Sequence, residues 1–141
     1  MLRRFVSAAA VASVAVLLAE LAVYITPGIR VQRIVPLIVA WLCAPALWGI
    51  WALLAPKRWV PERLPAWGAV LGLAAGIFAY FVANAPLRMF DQELPIGYRA
   101  AGIPVVVVIY YVGWMIVRAV LKRLSAPPAE AAPGRSAARV A

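Results

Sequence analysis

Glu20 is the residue whose type and position most directly suggest chemistry. It is the only acidic residue inside an apolar run, which extends from about residue 5 to residue 25. An ionised group at the centre of a membrane costs roughly 2.5–3.5 kcal/mol on insertion scales, so it usually faces water or the interior of a helix bundle. Glu20 is therefore a candidate site for a proton, a cation or a cationic substrate.

A structural role for Glu20 is the alternative, and it is the one we favour. Glu20 lies five residues before the end of the run, which corresponds to a depth of about 7.5 Å in a helix. From that depth its side chain can reach the membrane interface, or pair with Arg30, Arg33 or Arg99.

The string Leu18-Ala19-Glu20 resembles the first helix of small multidrug resistance transporters, which also have four helices and a membrane-embedded glutamate. The resemblance implies transport through Glu20 as one possible function. It covers three of the 141 residues. The later-helix pattern of those transporters is absent, so the similarity is one of layout.

A second polar group lies in the longest loop, residues 86–99, and consists of Arg88, Asp91, Glu93 and Arg99. Two carboxylates two residues apart suit acid–base or metal chemistry, but without histidine they are a weak metal motif. We interpret the loop as solvated and partly salt-bridged, and as the place where an extracytoplasmic partner would dock. A third hypothesis is a lipid-modifying enzyme that uses Arg88, Asp91 and Glu93.

The absence of histidine and the single cysteine, Cys43, restrict the chemistry further. They exclude an internal disulfide, a His-ligated haem and the usual His/Cys zinc site. No nucleophile–base pair, phosphate-binding loop or nucleotide motif is present. We therefore expect no enzyme activity, no metal and no cofactor, and we expect Cys43 to be a buried, inert thiol.

The composition predicts a membrane protein. Hydrophobic residues make up 66% of the chain, against roughly 45–50% in soluble domains. The net charge of +9 comes from short clusters between the apolar runs, which is typical of membrane-flanking charge rather than of a nucleic-acid-binding face. We expect the lipid bilayer as a partner and no nucleic acid.

Four apolar runs are long enough to cross a bilayer, for which about 20 helical residues are needed. We predict an all-α protein with a four-helix transmembrane bundle in residues 1–124 and helices over about 5–25, 34–55, 66–85 and 100–121. Pro45 predicts a kink in the second helix. Residues 125–141 have little to bury and predict a disordered cytoplasmic tail.

The basic residues near the ends of these runs predict the orientation, because cytoplasmic segments carry an excess of lysine and arginine. One side of the predicted bundle holds four basic residues, Arg30, Arg33, Arg88 and Arg99. The other side holds eight, which are Arg3, Arg4, Lys57, Arg58, Arg63, Arg118, Lys122 and Arg123. We therefore predict both ends in the cytoplasm and a multi-pass protein of the plasma (inner) membrane. The arginine- and alanine-rich composition indicates a bacterial source.

Glycines four residues apart place a smooth strip along the third helix, at Gly68, Gly72 and Gly76. Such strips allow close helix contacts, within the chain, with a second copy or with a partner protein. We expect the first helix to be the partner of this strip, because it carries a similar face of small residues at Ala8, Ala12, Ala15 and Ala19. The tryptophans near the inner interface predict an anchoring belt.

These observations support two main hypotheses. The leading one is a non-catalytic accessory subunit or assembly factor of a cell-envelope membrane complex. The alternative is a small four-helix transporter or channel that uses Glu20, either as a single chain or as a dimer. A water-filled cavity around Glu20 favours transport, and a packed, salt-bridged Glu20 favours the accessory role.

Overall fold

The computed structural model describes residues 1–27, 31–90 and 93–125, without the side chains of residues 31–34, 36, 37, 89 and 90. Within those ranges the chain is helical and contains no strand, which confirms the predicted all-helical class. Of the predicted tail, residues 125–141, Ser125 is the last residue of the final helix, and residues 126–141 lie outside the described residues. The helices are α1 (Leu2–Ile25), α2 (Val31–Leu42), α3 (Ala44–Leu54), α4 (Leu64–Ile77), α5 (Ala85–Phe90) and α6 (Ile96–Ser125).

Three helices are long and apolar enough to cross a membrane. They are the 24-residue α1, the 30-residue α6, and α4 with the π-helical turn Phe78–Val82 that continues it, 19 residues in all. Each exposes many large apolar side chains, such as Leu17 on α1 and Ile109 on α6. The β-branched run 105–109 is helical, as expected where lipid forces the backbone to satisfy its own hydrogen bonds.

The second apolar run differs from the predicted continuous helix over 34–55, because it is broken at Cys43 into α2 and α3. Pro45 lacks the N–H that would bond the Trp41 carbonyl. The Cys43 N–H instead donates to the Ala40 carbonyl at 3.2 Å, a shorter-range bond that ends α2. The proline thus replaces the expected kink with a break.

The two helices in the largest contact, α4 and α6, run antiparallel, since Gly68 lies against Trp114 and Gly76 against Ile103. The most extensive contact is between α4 and α6, followed by α1 with α3 and α1 with α6. Ala8 and Ala12 of α1 are fully buried, and they join Ala52 of α3 and Trp114 of α6 in the main core. A smaller cluster at the other end of α1 centres on Val23.

Candidate functional site

The basic end of the molecule is formed by the start of α1, the 55–63 connection and the end of α6. Arg3 Nη1 donates a hydrogen bond to the Leu124 carbonyl at 3.3 Å, which joins α1 to α6. Glu62, in the connection, forms ion pairs with two residues of α6, Arg118 and Lys122, and the Lys122 Nζ–Glu62 Oε1 distance is 2.7 Å. The eight basic residues predicted to share one side are carried by these three segments.

Glu62 is exposed and lies among positive charges. The hydrogen bond from Lys122, together with the charges of Arg118 and Lys122, outweighs partial desolvation and lowers the pKa of the Glu62 carboxyl. Glu62 is therefore a carboxylate at neutral pH, and its single negative charge is shared between two cations. The basic end keeps a strong excess of positive charge.

Aromatic side chains fill the interior next to this basic end. Trp114 of α6 is fully buried and stacks on Trp48 of α3, with ring centroids 5.2 Å apart. Trp51 and Trp67 stack at 4.8 Å, and each indole Nε1–H donates to the other's carbonyl, at 2.9 and 3.0 Å. Trp51 and Trp67, which we predicted near the inner interface together with Trp59, are partly buried and join α3 to α4.

The glycine strip of α4 is buried against α6, not against α1 as we expected. A Cβ on Gly72 would lie 2.7 Å from the Tyr110 Cβ and 3.1 Å from the Val107 Cα. Gly68 lies under the ring of Trp114, and Gly76 faces Ile103 and Val106. Large residues of α6 occupy the space that the missing side chains leave, so both faces pack without a gap.

Glu20 lies near the opposite end of α1 and is partly buried. Its Oε1 is buried and has no hydrogen-bond partner in the part of the chain that the structure describes. Of the partners that we considered for it, Arg30 and the Arg33 side chain lie outside that part. The third, Arg99, donates through Nε to the Leu94 carbonyl at 2.8 Å.

Asn84 Oδ1 is, like Glu20 Oε1, a buried oxygen that makes no hydrogen bond to the described residues. Its backbone has a positive φ of 46°, a conformation that asparagine tolerates better than most residues. The flanking Ala83 and Ala85 pack on the cluster around Val23, one helical turn from Glu20. Two buried oxygens without a hydrogen-bond partner among the described residues, Glu20 Oε1 and Asn84 Oδ1, thus lie at the same end of the fold.

The predicted docking loop contains α5, and two of its arginines make hydrogen bonds to backbone carbonyls close to them in the sequence. Arg88 Nε donates to the Ala83 carbonyl at 2.9 Å, as Arg99 does to Leu94, so each arginine fixes its own stretch of backbone. Glu93 is exposed. Asp91 lies outside the described residues, so the four residues are not shown to form one surface.

Sequence reasoning missed the Trp51–Trp67 pair, the Asn84 oxygen and the exposure of Cys43, which is a free surface cysteine. The position of Trp51 and Trp67 on either side of a proline-rich connection was the available signal for the pair.

Comparison with protein-family models, curated proteins and solved structures gives no match for this chain. Among the described residues no group of three or more His, Cys, Asp or Glu side chains is placed to hold a metal ion.

Proposed function

We propose that this chain is a multi-pass protein of a bacterial inner membrane that crosses the bilayer four times. The fourth crossing, besides α1, α4 and α6, is the broken pair α2–α3. The two helices within residues 31–54 have a combined length of at most about 36 Å at 1.5 Å per residue, against a hydrocarbon core of about 30 Å. The contacts that join Arg3 to Leu124 and Glu62 to α6 support four crossings. They bring the start, the middle connection and the end of the described chain to one end of the molecule, so two crossings lie between each consecutive pair.

The orientation that we propose places the basic end in the cytoplasm. That end carries eight basic residues and, among the described residues, one carboxylate, that of Glu62. Since lysine and arginine near helix ends are retained on the cytoplasmic side, both ends of the described chain are cytoplasmic in this proposal.

Within the membrane we propose a non-catalytic role, as an accessory subunit or assembly factor of a membrane complex. The observation that carries this proposal is the close packing of α4 against α6, where the α4 glycines lie against Trp114 and Tyr110 of α6 and Trp114 has no exposed surface. Such packing holds a fixed shape, and it leaves outward apolar faces for lipid or partner helices.

A transporter or channel is the second candidate, and the buried oxygens of Glu20 and Asn84 favour it. A polar group with an unused acceptor inside an apolar bundle marks a place where a cation or a proton donor can bind. The break between α2 and α3 at Cys43 and the π-helical turn Phe78–Val82 lie in the neighbouring segments.

Reconstitution separates the two functions. Proton and monovalent-cation flux is measured in liposomes with the wild-type protein, with Glu20→Gln and without protein, and the two proteins are compared by circular dichroism and gel filtration. The accessory role predicts wild-type flux equal to that of empty liposomes, and co-migration with a larger complex on native gels of mildly solubilised membranes. Flux in the wild type that disappears in an equally folded Glu20→Gln would overturn it.

A further inference from the structure

The basic end contains a cavity of about 740 Å³ between α1, the 55–63 connection and α6. This volume is within the roughly 300–1,000 Å³ of ligand-binding pockets. The lining includes three basic side chains, those of Arg3, Arg4 and Lys122, and the apolar side chains of Val60, Pro61 and Leu121.

The positive charge of this cavity is only partly used within the protein. The described hydrogen bond of Arg3 takes one nitrogen of a guanidinium group that has five N–H donors. Lys122 pairs with Glu62, but Glu62 also pairs with Arg118, so one carboxylate is divided between two cations. Glu62 is not part of the lining. The cavity therefore offers cationic donors to a ligand that brings negative charge.

We propose that this cavity binds the phosphate headgroup of an anionic phospholipid of the inner leaflet. The guanidinium groups of Arg3 and Arg4 match the oxygens of a phosphate in pairs, and Lys122 adds a point charge. Val60, Pro61 and Leu121 provide an apolar wall for the glycerol and the first methylenes. This inference rests on the proposed membrane location and orientation, which place the ends of α1 and α6 at the depth of the headgroups.

The same two helices also form a surface suited to an acyl chain. A cavity of about 350 Å³ lies between α1 and α6 farther from the basic end. Its lining is almost entirely apolar and includes Val11 and Val14 of α1 and Ile116 and Val120 of α6. A phospholipid, unlike a free phosphate, has groups for both surfaces.

Lipid titration of the full chain in detergent tests the proposal. Phosphatidylglycerol, phosphatidylcholine and glycerol phosphate are added in separate titrations, with thermal stability and bound mass in native mass spectrometry as readouts. The variant Arg3→Gln/Arg4→Gln removes two charges from the cavity. The matched control Lys57→Gln/Arg58→Gln removes two charges from the same end, at positions that do not line the cavity.

The expected result is preferential binding of phosphatidylglycerol, with an apparent affinity that falls roughly tenfold to thirtyfold in Arg3→Gln/Arg4→Gln and less than about threefold in the control. Equal losses of affinity in the two double variants would mean that the lipid is held by diffuse attraction to the basic end, and they would overturn the proposed site. Equal binding of phosphatidylcholine overturns the anionic headgroup. Glycerol phosphate that binds as tightly as the lipid overturns the lipid as the source of the phosphate.

Glu62→Gln gives a test of opposite sign that does not remove a cation. Without the carboxylate, Lys122 and Arg118 are free of their shared partner, so phosphatidylglycerol binding is expected to tighten several-fold. Unchanged or weaker binding contradicts the proposal. Because these titrations are done in detergent, their outcome is independent of the flux and topology measurements that test the proposed function.

Discussion

Trp51 and Trp67 hydrogen-bond each other in both directions, since each indole Nε1–H donates to the main-chain carbonyl of the other, at 2.9 and 3.0 Å. The two rings are stacked with an interplanar angle of 16°. The pair joins α3 to α4 across the connection that carries Glu62. It gives both indole N–H groups an acceptor, and it gives the Trp51 carbonyl a donor in the last turn of α3, where helix carbonyls lack intrahelical partners.

Replacement of Trp51 by phenylalanine should lower stability, because it keeps an aromatic ring and removes one of the two interhelical hydrogen bonds. We expect a loss of about 1 kcal/mol, typical of interhelical hydrogen bonds in membranes, measured as thermal or denaturant unfolding in detergent. Trp67→Phe should have the same effect.

Trp59→Phe is the control for this pair. Trp59 meets Trp67 edge to face at 5.9 Å, and the structure shows no hydrogen bond from its indole to a described residue. If Trp59→Phe and Trp51→Phe destabilise equally, ring packing rather than hydrogen bonding accounts for the pair.

Much of the helical layout follows from apolar length alone, because α1, α4 and α6 occupy runs long enough to cross a bilayer. The break at Cys43 does not follow in the same way. Pro45 removes one hydrogen bond, and the sequence cannot distinguish a kink from a break, since neighbouring side chains decide whether the helix continues. The short α5 inside the predicted loop contacts α2, a segment about 50 residues earlier in the chain, and the apolar-length argument gives no sign of that contact.

Gly72→Ala should destabilise the protein, because the added methyl group meets Tyr110 and the backbone at Val107. The backbone cannot rotate away as a side chain can, so we expect a loss of about 1–3 kcal/mol. The measurement is the free energy of unfolding in detergent.

Gly97→Ala is the matched control, since a Cβ on Gly97 meets nothing within 4 Å. Alanine favours helix over glycine by about 1 kcal/mol, so this variant should be neutral or more stable. A stable Gly72→Ala would mean that α4 and α6 do not pack as closely as the structure has them.

The candidate sites were only partly predictable. The glycine spacing indicated a close helix contact, but spacing defines a face and not the partner, and the volumes of Trp114 and Tyr110 decide that α6 fills it. Glu20 was recognised from its charge in an apolar run. Asn84 was passed over, because its burial depends on how Ala83 and Ala85 reach the Val23 cluster.

The Glu62 ion pairs should make stability depend on pH. A carboxyl whose pKa is lowered in the folded state stabilises it above the unfolded value, near 4.5, and that contribution is lost as the pH falls through the lower folded value. The difference in melting temperature between wild type and Glu62→Gln should therefore be present at pH 6–7, shrink as the pH falls below 4.5, and be lost once the pH is below the lowered pKa of Glu62. A difference that is constant from neutral to acid pH contradicts the ion pairs.

The most direct test of the four-crossing, basic-end-in topology is the labelling of single cysteines in intact cells. Cys43→Ala supplies a cysteine-free background, and Arg58→Cys, Glu93→Cys and Ser125→Cys are placed on it one at a time, all at exposed positions. A membrane-impermeant maleimide should label position 93 from outside, and positions 58 and 125 only after permeabilisation. Labelling of position 58 or 125 in intact cells, or protection of position 93, would contradict the account.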